Sequence, residues 1–167
     1  MRFPYFIDTS SLTQAHRVYY PFDIAPSFWN FMKTNFINGN FILINKVKDE
    51  IDWSSDDLTN WLHTEIPSSL LLNCHVDPGI MTHYGSIMVW GNGHPQFNND
   101  AKAVLSEFDN ADPFIVAASL AKSGIVVSQE VSAPFSKKNI KIPDVCSEFG
   151  IQHIDTFTLL RKFGFTM

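Results

Sequence analysis

Three short apolar runs dominate the pattern of this chain: "FPYFID" at 3–8, "FILI" at 41–44 and "IVVS" at 125–128. Runs this short, bounded by polar or turn residues, have the length of buried strands. Long stretches with helical spacing separate them. Buried strands alternating with helices imply an α/β layered fold with a mainly parallel sheet, because parallel neighbours can be joined only through a crossover.

The helical stretches carry their own punctuation. "SLTQAHRVYY" stops at Pro21, and "PSFWNFMKTNFINGN" places Pro26 in a first turn, Phe28, Phe31, Met32 and Phe36 at helical spacing, and Gly39 at the stop. "NKVKDEIDW" opens on Asn45 as a cap, and "SSDDLTNWLHTEI" opens on Ser54 or Ser55. "DPGIMTHYGSIMVWG", "NNDAKAVLSEF", "DPFIVAASLAKSG" and "IPDVCSEFG" are further helices, and a short strand at 151–154 precedes a terminal helix, "DTFTLLRKFG". No repeat, low-complexity tract or linker divides the sequence, so residues 1–167 are expected to form one domain.

A hydrophobic content of 45% with 15 Phe supplies a core and excludes disorder. The net charge of −5 argues against a broad basic platform for nucleic acid, though not against a local basic groove. Cys74 and Cys146 show no CxxC or Cys/His spacing and read as buried or half-buried thiols of a reducing cytoplasm. The first apolar run is broken by Pro4 and ended by Asp8, unlike a secretory signal, and no apolar stretch approaches the ~20 residues of a membrane helix. A soluble, cytoplasmic protein is the expectation.

In parallel sheets, ligands sit beyond the carboxyl ends of the strands. Asp8 ends the first run, Glu50 lies on the helix leaving the second, Asp112 opens the helix feeding the third, and Glu130 follows that run in "IVVSQE". Converging carboxylates repel one another, and a divalent cation removes the penalty; hard oxygen ligands select Mg2+ or Mn2+. Each acid also has a structural reading. Asp8 can cap a helix, Asp112 before Pro113 fits an N-cap, Glu50 fits a solvated face, and Glu130 fits a loop.

"FIDTSSL", "VKDEI", "ADPFIVAASLAKSGIVVSQE" and "KIPDVCSEFGI", with "YYPFDIAPSFWNFM", together resemble the PIN-domain superfamily. The likeness runs from residue 5 to about 163. It is nearest to a bacterial PIN-like family labelled as a domain of unknown function, similar to VapC-type toxins. The resemblance implies a three-layer α/β/α fold and a metal-dependent endoribonuclease, the toxin of a toxin–antitoxin pair. It assigns Asp8, Glu50 (in V-x-x-E from Val47), Asp112 (in D-x-x-I-x-A with Ile115 and Ala117) and Glu130 as catalytic and Mg2+- or Mn2+-binding acids. Ser10 and Ser128 become their supporting hydroxyls. Asp is commoner in that superfamily at the last position, so Glu130 is a departure, and Asp144 is an alternative fourth acid.

For substrate, Lys137, Lys138 and Lys141 in "FSKKNIK" are candidate phosphate contacts, with Lys46, Lys48 and Arg17 further away in sequence. The six histidines lack metal-ligand spacing. Most of the aromatic residues belong to the core, while some of Tyr19, Tyr20, Phe22 and Trp29 are candidates for a partner surface. An RNA substrate, a protein antitoxin and a homodimer are the partners implied, with no membrane. Two rivals compete with the nuclease. A haloacid-dehalogenase-type phosphatase needs a second Asp at position 10, where Ser stands. A catalytically silent PIN-like module that binds RNA or protein keeps the fold without the chemistry.

Overall fold

The computed structural model describes residues 3–167. Its sheet has four strands, β1 (Tyr5–Ile7), β2 (Phe41–Ile42), β3 (Ile125–Val127) and β4 (His153–Ile154), in the order β2-β1-β3-β4. Every pairing is parallel, with Phe6 opposite Ile42 and Val126, and Val127 opposite Ile154. The helices that connect them cover both faces, giving a three-layer α/β/α fold. All four carboxyl ends therefore lie along one edge.

Nine α-helices are present among the described residues: α1 (Thr9–Gln14), α2 (Pro26–Ile37), α3 (Asn45–Asp52), α4 (Asp57–Glu65), α5 (Pro78–Gly93), α6 (Asn99–Leu105), α7 (Ala111–Ala121), α8 (Ile142–Glu148) and α9 (Thr156–Lys162). The first expected helix is split, because α1 continues as a π-helical turn over Ala15–Tyr19. Two caps differ from expectation. Asp56, not Ser54 or Ser55, accepts the N–H groups of Leu58 and Thr59 to start α4. Asn45 is the first residue of α3, and its side chain instead accepts the Cys74 N–H at 3.0 Å, tying α3 to a distant loop.

Helix α7 is the buried spine. Pro113 and the run Phe114 to Ala118 are inaccessible on nearly every side, since α7 packs against β1, β3, α3, α5 and α8. Aromatic rings fill the other side: Phe41 meets Tyr5, Phe31, Phe36 and Phe163 edge-on at 5.1–6.3 Å, the arrangement ring quadrupoles favour. Trp29 is buried and donates its indole N–H to the Tyr20 carbonyl at 2.7 Å, with Phe22 stacked on it at 4.3 Å. Of the four aromatics considered for a partner surface, only Tyr19 is well exposed. Cys74 and Cys146 are buried free thiols whose pKa values burial pushes up to about 12.

The entry to β3 is sterically exacting. A Cβ on Gly124 would lie 2.4 Å from the Phe6 ring and 2.9 Å from the Pro4 carbonyl oxygen. Neither partner can yield, since Phe6 is fully buried in the central strand. Gly124→Ala is expected to lose about 1–3 kcal/mol of stability, the usual range for overpacking, measured by urea unfolding. Gly93→Ala, where an added Cβ meets nothing within 4 Å, serves as the control and should leave the midpoint unchanged or raised.

Candidate active site

The ends of β1 and β3 are locked side by side. The Asp8 N–H donates to the Val127 carbonyl at 2.9 Å, and the Ser128 N–H donates to Ile154 at 3.1 Å. This register sets Asp8 against Ser128 and the loop carrying Glu130. Asp8 is the N-cap of α1: its Oδ2 accepts the Ser10 N–H at 3.1 Å and the Ser10 hydroxyl at 2.5 Å. The capping role open to Asp8 in the sequence is thus taken up by one of its oxygens. One oxygen serves the helix, and Oδ1 accepts no hydrogen bond among the described residues.

The Ser10 hydroxyl also accepts the Gln129 N–H at 3.0 Å and lies 3.4 Å from the Ser128 hydroxyl. Its single proton is committed to Asp8, so Ser128 is the donor in that pair. Ser128, fully buried, accepts the Glu130 N–H at 3.0 Å. A chain of hydroxyls therefore joins the ends of β1 and β3 beneath the acids, and both serines assigned supporting roles lie in it.

Glu50 points from α3 across to two other elements. Its Oε2 accepts the Thr9 hydroxyl at 2.5 Å and its Oε1 accepts the Ala111 N–H at 3.0 Å, binding α1, α3 and α7 together. Thr9's partnership with Glu50 spans 41 positions and left no signal in the sequence. Glu130 is similarly employed: Oε1 meets the Lys141 ammonium at 3.1 Å and Oε2 accepts the Ile142 N–H at 2.8 Å, at the start of α8.

Asp112 differs from all three. The N-cap of α7 is Asn110, whose side chain accepts the Asp112 N–H at 3.0 Å, so the capping role expected of Asp112 belongs to its neighbour two positions earlier. The "NADP" run held that signal, because Asn is as good a cap as Asp. Freed from capping, the Asp112 carboxylate accepts no hydrogen bond among the described residues. Burial pushes its pKa well above the usual carboxylate range, and the charges of Asp8, Glu130 and Glu50 push it further, with Lys141 in partial opposition. Asp8 is pushed up to about 6, chiefly by burial; the Ser10 hydrogen bonds oppose this, and Glu50 and Glu130 add to it. The four sequence-derived acids are thus close enough to sense one another.

Asp112 and Glu130 line a cavity of about 150 Å³ that Lys138 and Lys141 also border. Lys137 lies outside that lining and is exposed; its carbonyl accepts the Asn98 N–H at 2.9 Å. Asp144 accepts the Ser132 hydroxyl at 2.5 Å and the Ala133 N–H at 2.9 Å, so it fastens a loop and does not share the acid cluster. Lys46 is no phosphate contact: its ammonium is buried, donates to the Phe108 carbonyl at 2.6 Å and sits 3.9 Å from the Phe108 ring centre. Lys48 pairs with Asp52, and Arg17 with Asp56.

The profile of one protein family, described as "Domain of unknown function (DUF4411)", matches residues 5–167. The chain belongs to that family. No curated protein matches it. Among the described residues, no three His, Cys, Asp or Glu side chains are arranged to grip one ion together. In this DUF4411 chain Glu50 and Glu130 have both oxygens occupied by protein donors, whereas Asp8 has one oxygen free and Asp112 two. The carboxylate oxygens of the four acids left without a protein donor among the described residues are therefore those of Asp8 and Asp112.

This division predicts opposite stability effects within one cluster. Glu50→Ala leaves the buried Ala111 N–H and the Thr9 hydroxyl unpaired, which is expected to cost about 2 kcal/mol, read by thermal or urea unfolding. Asp112→Asn removes a repelled carboxylate and leaves no donor unpaired, so it should stabilise the protein without metal.

Proposed function

We propose that this protein is a metal-dependent endoribonuclease of PIN-like type, acting in the cytoplasm as the toxin of a toxin–antitoxin pair. One observation carries the reading. Four carboxylates from distant segments gather at the carboxyl edge of a parallel sheet, and two of them, Asp8 and Asp112, are held in a state that repulsion and burial disfavour. Residues that weaken a fold in this way mark functional sites more often than structural ones. Mg2+ or Mn2+ would be held by Asp8 Oδ1 and the Asp112 carboxylate, with Glu50 and Glu130 contributing through their remaining lone pairs or through water. Bound there, the cation supplies charge neutralisation and a nucleophilic water at neutral pH.

The chain's own groups do the rest. Ser10 and Ser128 fix the orientation of Asp8 and of the Glu130 backbone, a supporting shell of the kind that metal sites depend on. Lys138 and Lys141 line the same cavity as Asp112 and Glu130, where they can hold the phosphate being cut. The overall negative charge restricts such binding to this small basic edge and favours narrow single-strand recognition over general duplex affinity. The free, buried thiols of Cys74 and Cys146 accord with a reducing compartment. No helix among the described residues is long and apolar enough to cross a membrane.

The reading is tested by incubating a mixed-sequence RNA with the purified protein in Mn2+, in Mg2+ and in chelator. Cleavage only with metal, lost in Asp8→Asn and Asp112→Asn, supports it. RNA or protein binding with no cleavage under any metal condition points to the silent PIN-like module.

A further inference from the structure

A second cavity, of about 590 Å³, opens beyond the carboxyl ends of β3 and β4. This is within the size range of ligand pockets. Glu130 lines both this cavity and the smaller one that holds Asp112, so the two are neighbours through one side chain. Tyr19 and Phe157 meet on its wall with ring centres 5.0 Å apart and planes at 75°. Tyr19 is 45% exposed there, and it is placed by the π-helical turn that interrupts the first helix. Such turns concentrate at functional sites.

Of the polar lining, Asp155 caps α9, Ser132 donates to Asp144 and Glu130 is held by Lys141 and Ile142, while two amides are unspent. Gln129 uses its carbonyl oxygen to accept the Thr156 N–H at 3.3 Å, leaving its NH2 group unbonded among the described residues, and the Gln14 amide is likewise unbonded. A rigid aromatic wall beside unpaired donors and acceptors matches a planar heterocycle with a hydrogen-bonding edge. It does not match an aliphatic or simply charged group.

Resting on the ribonuclease reading above, we propose that this cavity takes one unstacked base of single-stranded RNA, next to the phosphate held at the acid cluster. The base lies against Tyr19 and Phe157, and its edge is read by Gln129 and Gln14. Base–aromatic stacking tolerates any base, while the hydrogen bonds impose a preference. A paired base presents no free edge, so duplex RNA is excluded from this cavity.

The test uses Asp112→Asn protein, so that the RNA stays intact, and fluorescence anisotropy with a short labelled single strand. Single abasic sites are moved along the strand. One abasic position is expected to weaken binding about tenfold. Adding Tyr19→Ala, which removes only an exposed ring, should weaken binding to the intact strand by a similar factor and abolish the effect of that abasic position. Phe157→Leu should do the same. The proposal is overturned if no abasic position matters, if both aromatic variants bind like the parent, or if no single strand binds at all. Cleavage by the unmodified protein in Mn2+ is scored separately. Cleavage without the abasic pattern defeats the base site alone, and the pattern without cleavage defeats the nuclease reading alone.

Discussion

Asp112→Asn is expected to cut RNA at least about 100-fold more slowly in Mn2+ than the unmodified protein, while remaining fully folded. The magnitude follows from the rule that removing a residue which merely supports a metal ligand costs 10–100-fold, so removing a ligand costs no less. The retention of fold follows from the geometry. The carboxylate caps nothing, since Asn110 does that, and it accepts no hydrogen bond among the described residues. An isosteric amide leaves α7 and its packing unchanged and removes a charge that Asp8, Glu130 and Glu50 repel. Initial rates on a labelled RNA, with circular dichroism of the same samples, check both halves. A variant that cuts at the unmodified rate would remove Asp112 from the chemistry.

Asp8→Asn is expected to stabilise the protein in chelator at pH 7.5 by about 3 kcal/mol and to have almost no effect near pH 3.8. Asp8's pKa is raised from 3.8 to about 6 in the folded protein. The folded state therefore binds more protons than the unfolded state between these values, and stability falls as pH rises through that window. Above pH 6 the whole penalty is present, and a shift of about two units corresponds to about 3 kcal/mol. Below 3.8 the group is protonated in both states and contributes nothing. Asp52, Asp56 and Asp155 have lowered pKa values and act in the opposite direction, losing stability as pH falls, but they are common to both proteins and cancel in the difference. Denaturant midpoints of both proteins across this pH range measure the difference directly. In Mn2+ the gap should nearly close: a cation bound only to the folded state adds about 2.7 kcal/mol at one hundred times its Kd, and Asn at position 8 should blunt that gain. Equal Mn2+ responses in the two proteins would sink the metal-site reading.

Both predictions describe a site maintained against the stability of its own fold, a trade that functional residues often make. The effect is confined to Asp8 and Asp112. Glu50 and Glu130 are acids that the chain itself satisfies, through Thr9, Ala111, Lys141 and Ile142. A uniform four-ligand picture would miss this division, and the opposite signs expected for Glu50→Ala and Asp112→Asn are its signature.

The strands and helices were legible because their signals are local. "FIDTSSL" contains a buried strand and the acid that ends it, and "IVVSQE" repeats the design one strand away. Proline at first turns marked α2, α5 and α8 within a residue or two. The gathering of the four acids was legible as well, because parallel strands must bring their carboxyl ends to one edge. Local signals failed where one residue could serve two masters. Asp8 was read as ligand against cap, and it is a cap with one oxygen to spare. Asp112 before Pro113 fits a cap as well as a ligand in sequence, and in the fold Asn110 holds the cap.

What only the tertiary structure decided is the occupancy of each oxygen. Whether Glu50 faces solvent or braces three helices depends on Thr9 and Ala111, far away in sequence, and Lys46 turned from a surface candidate into a buried strut beneath Phe108. Hydrogen bonds of this kind form between elements that only folding brings together, so no window of sequence contains them. The sequence determined the edge of the sheet at which carboxylates meet. The fold determined which of them it satisfies and which, Asp112 and one oxygen of Asp8, it leaves without a protein donor.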